Sequence, residues 1–380
     1  MINTIPTSLY IHMPWCLHKC PYCDFNSYAI NKIPEENYIQ CLIQDFKNEL
    51  EKIHCPEIYS IYIGGGTPSL FSPTFIEKLL NSIHQKINFK TTIEISMEIN
   101  PGTCDKNKLL GFKHAGINRP SIGIQSFQDD KLQALKRIHN SLEAEKIIEN
   151  LLSLGFNNFN LDLMHGLPKQ TVQDALFDLD TAMNFHPPHI SWYQLTLEQG
   201  TEFANLPPEL PDEESTWEIL QKGNQLLANN GFHHYEISGY AKPNYQCQHN
   251  LNYWQFGDYI AIGSGAHGKR TTKNKIVRYA KLKNPNNYME NILNDHSAIE
   301  EERSVTKKEL PLEFMMNALR LIDGVPIELF QQCTGLSIHT IEKQLIVAKE
   351  KGLIKNFESI LKPTELGQQF LNELLEIFIV

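Results

Sequence analysis

Three cysteines, Cys16, Cys20 and Cys23, stand in the stretch SLYIHMPWCLHKCPYCDFNSY with the spacing C-x3-C-x2-C, and no further cysteine follows before Cys41. Thiolates so close on one short loop suit a [4Fe–4S] cube with three protein-held irons and one open corner. An open iron invites a chelating ligand. The amino and carboxylate groups of S-adenosyl-L-methionine (SAM) meet that need, and an electron from the cluster would split its sulfonium. The competing reading is a zinc site with His12 or His18 as fourth ligand. Structural zinc sites more often pair two C-x2-C knuckles and the sequence offers no second one, so the cluster reading stands ahead.

Other residues gain meaning from that loop. Residues 61–69, IYIGGGTPS, run a strand into three glycines, where backbone N–H groups approach a small polar group closely. Alone, such a triplet serves equally well as a tight turn. One βα unit after the cysteines, it becomes a site for the SAM amino group. Glu98, Gln125 and Asp162 follow at the ends of later strands, with Arg137 one helix after Gln125. A carboxylate there can accept hydrogen bonds from ribose hydroxyls, and an arginine can hold a carboxylate. Each taken singly is an ordinary structural group; their recurrence at successive strand ends is what favours a site.

A second cluster is YQCQHNLNYWQFGDY, residues 245–259. His249, Asn250, Tyr253 and Trp254 combine metal-ligating groups with flat aromatic faces. Such a loop can hold a planar ligand, with His249 on its iron and aromatics over its ring. An aromatic satellite core beneath a loop is the structural alternative, and the favoured one on these residues alone. His233, His234 and His267 carry weaker signals and receive no role.

Positioning these groups requires a scaffold. From residue 8 to about 265, short β-branched runs alternate with amphipathic helices, the rhythm of parallel βα units. Strands are expected at 8–12, 59–63, 92–99, 119–124, 158–163 and 189–195. Helices fit 35–53, 73–86, 106–115, 129–138, 141–154, 171–184 and 213–229. In a βα barrel all the downstream strand ends lie on one face, where sites are built. Six units predict an α/β fold with a partial (β/α)6 TIM-type barrel rather than a closed eight-fold one. The last 72 residues read helix, short helix, helix, two short strands (352–354 and 360–361) and a final helix, a winged-helix-like α+β domain. They carry 6 Lys/Arg against 10 Asp/Glu, so a groove-reading role on nucleic acid is excluded on charge. The division expected is 1–240 barrel, 241–300 aromatic loop and basic connecting segment, and 301–380 C-terminal domain.

The chain has 380 residues, 41% of them hydrophobic, and a formal net charge of −10. That balance argues against a general nucleic-acid binder. No apolar run reaches ~18 residues, which argues against a membrane span. The start, MINTIPTSLY, lacks the marks of a signal peptide, and a free-thiol motif points to a reducing cytoplasm. Cys41, Cys55, Cys104, Cys247 and Cys333 read as ordinary small apolar residues. Residues 269–283, KRTTKNKIVRYAKLK, contain no acid. A solvated hairpin is the favoured reading, and a patch for tetrapyrrole carboxylates or anionic lipid, giving a peripheral membrane contact, is the functional one.

Together LYIHMPWCLHKCPYCDFNS, IGGGTPS, GIQSF, LDLMHGLP, ISWYQLT and CQHNLNYWQFGDYIAIG resemble the radical SAM family of oxygen-independent coproporphyrinogen III oxidases, more closely its heme-chaperone branch. The resemblance covers essentially the whole chain. It implies that Cys16, Cys20 and Cys23 hold the cluster. Tyr10, Gly65, Gly66, Thr67, Glu98, Gln125, Arg137 and Asp162 match the family's SAM-contacting positions, and Tyr22 is a further candidate. It implies heme on His249, Asn250 and Tyr253, and delivery to apo-hemoproteins such as those of a respiratory chain. Two departures argue against oxidase activity: Phe25 replaces the oxidase's fourth cysteine, and only 15 residues precede Cys16, where the oxidase has a long arm. Ser264 stands where the chaperone branch often has cysteine, which would weaken heme attachment or place more of it on His249.

Overall fold

The computed structural model describes residues 5–53, 57–272 and 275–379. Cys55 and Lys273 lie outside the described residues.

Six strands lie side by side and parallel: β1 (Thr7–Met13), β2 (Glu57–Gly65), β3 (Asn88–Ile99), β4 (Arg119–Gln125), β5 (Asn160–His165) and β6 (His189–Gln194). Their runs are buried on both faces, as parallel strands covered by crossover helices must be. Then come β7 (His233–Glu236), β8 (Gly239–Ala241), β9 (Asp258–Ile262), β10 (His267–Thr271), β11 (Ile276–Lys281) and β12 (Ile299–Val305). All twelve form one sheet in the order β12-β11-β10-β9-β1-β2-β3-β4-β5-β6-β8-β7. β9 runs parallel to β1, with Thr7 opposite Asp258, while both flanks are antiparallel. The order is linear, so the barrel is open, as six units predict. Residues 258–305 extend this same sheet.

The crossover helices are α1 (Glu35–Leu50), α2 (Pro73–His84), α3 (Lys106–His114), α4 (Asp129–Ala134), α5 (Ser141–Ser153) and α6 (Val172–Asn184). Sequence sets their starts: Asn140 with Glu143, and Thr171 with Asp174, form capping boxes. On α5, Ala144, Ile147, Ile148 and Leu151 repeat at helical spacing and are buried. The helix expected through 138 stops at Ala134. Lys136 takes a left-handed conformation, φ 52°, and the Arg137 N–H bonds back to the Leu132 carbonyl.

The basic stretch forms β10 and β11, and most of its charge is neither solvated nor open to a partner. Lys269 reaches Asp258 at 2.7 Å, Arg278 reaches Glu313 at 2.8 Å, and Arg270 holds Glu49 at 3.2 Å and also Glu302. Lys281 is buried against Asp45 at 2.5 Å and Glu49 at 2.8 Å. The two carboxylates are four residues apart and so share one face of α1. Tyr288 also donates to Asp45, at 2.7 Å. This network fastens α1 to the last strands of the sheet. Among the described residues no helix is long and apolar enough to cross a membrane.

The C-terminal domain has its own core, built on Phe314, Phe330, Leu345 and Phe378. Of the two strands expected there, Ile360–Leu361 forms and pairs with Val325–Pro326. Ile354 contributes a single bridge to Pro363, because Gly352, at φ 72°, turns the chain sharply after the helix Glu342–Glu350.

Candidate functional site

At the downstream ends of the parallel strands lies a cavity of about 420 Å³. Cys16, Cys20 and Cys23 line it as free thiols. Trp15–Cys16 pairs with Tyr28–Ala29, which pins both ends of the cysteine loop. The Asn26 amide ties the loop's far end to the carbonyls of Ser264 (3.1 Å) and Lys283 (3.0 Å). Burial pushes the Cys16 and Cys23 thiols up, opposed by hydrogen bonds from Ser27 and from the Phe25 backbone. Among the described residues no three His, Cys, Asp or Glu groups converge on a single ion. Both nitrogens of His12 are already engaged, with Tyr10 Oη and the Asn26 carbonyl, each at 2.9 Å. Three thiols around one cavity, without a shared point, suit the larger cube better than one zinc ion.

The glycine triplet closes over this loop. The Gly66 N–H donates to the Met13 carbonyl at 2.7 Å, and the Thr67 N–H to the Trp15 carbonyl at 2.8 Å. A Cβ on Gly66 would stand 2.5 Å from the Trp15 carbonyl oxygen, and one on Gly65, at φ 113°, 2.7 Å from the His12 ring. Only glycine fits. Gly65, Gly66 and Thr67 all line the cavity, as do Tyr22, Glu98, Gln125, Arg137 and Asp162.

Glu98 accepts from the Gly65 N–H and from Tyr62 Oη, both at 3.1 Å. Burial and then the Asp162 charge push its carboxyl up to about 8. Asp162 accepts from Ser121 Oγ (2.9 Å) and Asn160 Nδ2 (2.7 Å), and burial raises it too. Gln125 sits at a β-bulge with φ 70° and accepts from Tyr193 Oη at 2.8 Å. The left-handed turn after α4 delivers Arg137, which donates to the Gly123 carbonyl at 2.9 Å and lies 3.7 Å from Cys20 Sγ. Its Nε is buried without a hydrogen-bond partner. Buried acids short of a cation, and a buried cation with a spare donor, match a ligand bearing both charges. SAM is such a ligand. Tyr62, Tyr193 and Ser121 were not legible as site residues, although Tyr62 shares a strand face with Gly64.

A second cavity, of about 490 Å³, adjoins the first, and Asp24, Phe25, Gly65 and Glu98 line both. Its other walls include Tyr10, His249, Tyr253 and Tyr259. Tyr10, expected with the SAM contacts, therefore stands beside His249, 6.5 Å away between ring centroids. Asn250 and Trp254 do not line this cavity; Trp254 packs on the C-terminal core. His249 lies on the helix Gln248–Trp254, whose first N–H groups are gathered by Glu94 Oε1 (3.0 Å from Gln248 N, 3.3 Å from His249 N). Its Nδ1 is 3.3 Å from Ser60 Oγ. Burial, helped by the Arg119 charge, lowers the imidazole to about 3, so it is neutral, the form that ligates metals. Ser264 is fully buried and donates to the Leu282 and Lys283 carbonyls (3.1 and 2.6 Å); it does not line the cavity.

The Radical SAM superfamily model matches residues 10–182, and the HemN C-terminal domain model matches residues 305–370. Heme chaperone HemW of Haemophilus influenzae is 49% identical over 98% of each chain. Its Escherichia coli counterpart is 45% identical over the full length of both, and that of Bacillus subtilis 34% over 98% of this chain and 99% of its own. The chain belongs to the HemW family. Coproporphyrinogen III oxidase HemN from Escherichia coli, a radical SAM enzyme, matches with a TM-score of 0.84 over 99% of this chain and 91% of its own. At 20% identity that likeness shows a common fold. Membership in the radical SAM superfamily implies a [4Fe–4S] cluster and SAM, and HemW membership implies heme.

Proposed function

We propose that this chain binds heme and hands it to apo-hemoproteins, those of a respiratory chain among them, and that it works in the cytoplasm. The observation that carries this reading is the neutral His249 imidazole in an aromatic-walled cavity adjoining three free thiols. Its Nε2 has no hydrogen bond among the described residues and is left for a metal. Tyr253 flanks the ring of the cargo, and Asn250 acts from the same helix without lining the cavity.

In the adjoining cavity, Cys16, Cys20 and Cys23 would hold the [4Fe–4S] cluster. Gly65, Gly66, Thr67, Glu98, Gln125, Arg137 and Asp162, with Tyr22, would hold SAM; Tyr10 lines the adjoining cavity beside His249. The bound cluster supplies an electron and an open iron to SAM. When bound, that pair would govern assembly or transfer, and the chain's own groups are set to orient the ligand: Gly65 and Tyr62 fix Glu98, and Ser121 with Asn160 fixes Asp162.

The oxidase reading rests on fold alone. Phe25, at the position of the oxidase's fourth cysteine, is 56% exposed between the two cavities. The deciding experiment is a heme titration of wild type and His249→Ala, following the Soret band. Saturable binding near one heme per chain, lost or spectrally altered in the variant, is expected. Weak, non-saturating binding that ignores His249 would overturn the reading. Release of protoporphyrinogen over many turnovers from coproporphyrinogen, SAM and reductant would bring the oxidase forward.

A further inference from the structure

Charge is distributed unevenly around the second cavity. Its acids, Asp24 and Glu98, sit in the partition shared with the thiol cavity, together with the apolar Phe25. Lys283 and His267 line the second cavity and not the first. Lys283 also differs from its neighbours in sequence. Lys269, Arg270, Arg278 and Lys281 each hold a carboxylate. Lys283 is exposed, and its ammonium has no hydrogen bond or ion pair among the described residues. Its backbone is nonetheless tightly fixed: its carbonyl accepts from Asn26 Nδ2 (3.0 Å), Tyr28 Oη (3.1 Å) and Ser264 Oγ (2.6 Å). A free cation on an anchored backbone, at the wall of a cavity, is preorganised for an anion.

We propose that Lys283, assisted by His267, anchors the carboxylates of a planar, dianionic tetrapyrrole whose iron is held by His249. This rests on the heme reading above and adds an orientation to it. The carboxylate edge of the ligand turns away from the thiol cavity, and its apolar edge meets Phe25. The reverse orientation would bring carboxylates against Asp24, where like charges repel, and against the buried Glu98, which offers them no cation. Decarboxylation of a propionate beside the thiol cavity needs that reverse orientation. The arrangement therefore serves carriage rather than oxidation of the cargo.

The test titrates hemin and hemin dimethyl ester, whose carboxylates are blocked, into cluster-loaded wild type, Lys283→Glu, Lys283→Arg and His249→Ala. Lys283→Glu is expected to bind hemin about tenfold more weakly with an unmoved Soret maximum, and Lys283→Arg to restore affinity. The ester is expected to bind wild type and Lys283→Glu alike. Equal hemin affinity in wild type and Lys283→Glu overturns the anchor, while loss in His249→Ala keeps the heme reading. An equal loss for ester and hemin in Lys283→Glu means a distorted cavity and also overturns it. Non-saturating binding indifferent to His249→Ala removes the heme reading, and the anchor with it.

Discussion

The His249 imidazole stacks obliquely on Tyr62, 5.2 Å between ring centroids, and joins the two cavities. The Tyr62 hydroxyl donates to Glu98, which also receives the Gly65 N–H. A group that faces the cargo is thus one aromatic ring away from a carboxylate that faces the thiols. Packed side chains and hydrogen bonds of this kind are one route by which two sites can be coupled.

With its pKa near 3, His249 stays neutral across the ordinary pH range. Heme bound there is expected to keep its Soret maximum from about pH 8 to about pH 5, since no proton competes for the ligating nitrogen. A shift in the maximum centred near ~6.5 would identify a different histidine, one with an ordinary pKa.

Glu98 titrates at about 8 in the folded chain against 4.5 unperturbed. The folded state holds this proton more tightly than the unfolded one. The resulting stability is full below about 4.5 and is lost as pH rises through about 8, at a slope of at most ~1.4 kcal/mol per pH unit. In Glu98→Gln that slope is expected to vanish. Urea midpoints that stay parallel for variant and wild type from about pH 5 to about pH 8 would show a carboxylate ionised throughout.

Cys20→Ala leaves two thiols and Arg137 without its sulfur neighbour. After anaerobic reconstitution, wild type is expected to be brown with a broad shoulder near ~400 nm, and the variant to lack it. A colourless wild type that carries zinc would contradict the cluster assignment.

Gly65→Ala forces a side chain into a left-handed position with its Cβ against the His12 ring. A loss of roughly 1–3 kcal/mol in unfolding free energy is expected by denaturant titration. Wild-type stability in the variant would mean that the turn relaxes freely.

Lys281→Met strands Asp45 in the interior and leaves Glu49 to Arg270 and Lys52. Breaking one side of a buried network costs roughly 3–5 kcal/mol. A change under about 1 kcal/mol would show that water reaches these carboxylates.

What the sequence made legible follows from range. The cysteine spacing, the glycine triplet and the strand ends are local patterns, and each emerges on the same face of the sheet. Arg137 was read on a helix running to 138, yet it reaches the cavity because Lys136 breaks that helix, a left-handed turn that a lysine does not advertise. Tyr10, a SAM contact by resemblance, lines the neighbouring cavity. The basic stretch is where the sequence says least. Arg270 and Lys281 look free because their acids, Asp45 and Glu49, lie far upstream in the sequence, on a helix.

The order in which the chain is made gives that network a second meaning. Asp45 precedes Lys281 by 236 residues, and Glu49 precedes it by 232. β1 is an inner strand, yet its neighbour β9 begins only at Asp258. For most of its synthesis on the ribosome the nascent chain therefore carries one bare strand edge and two carboxylates awaiting a cation. A bare edge is a template for wrong pairing until it is covered. The thiol loop follows directly on β1, so its scaffold is completed only when the late hairpin of β10 and β11 has emerged.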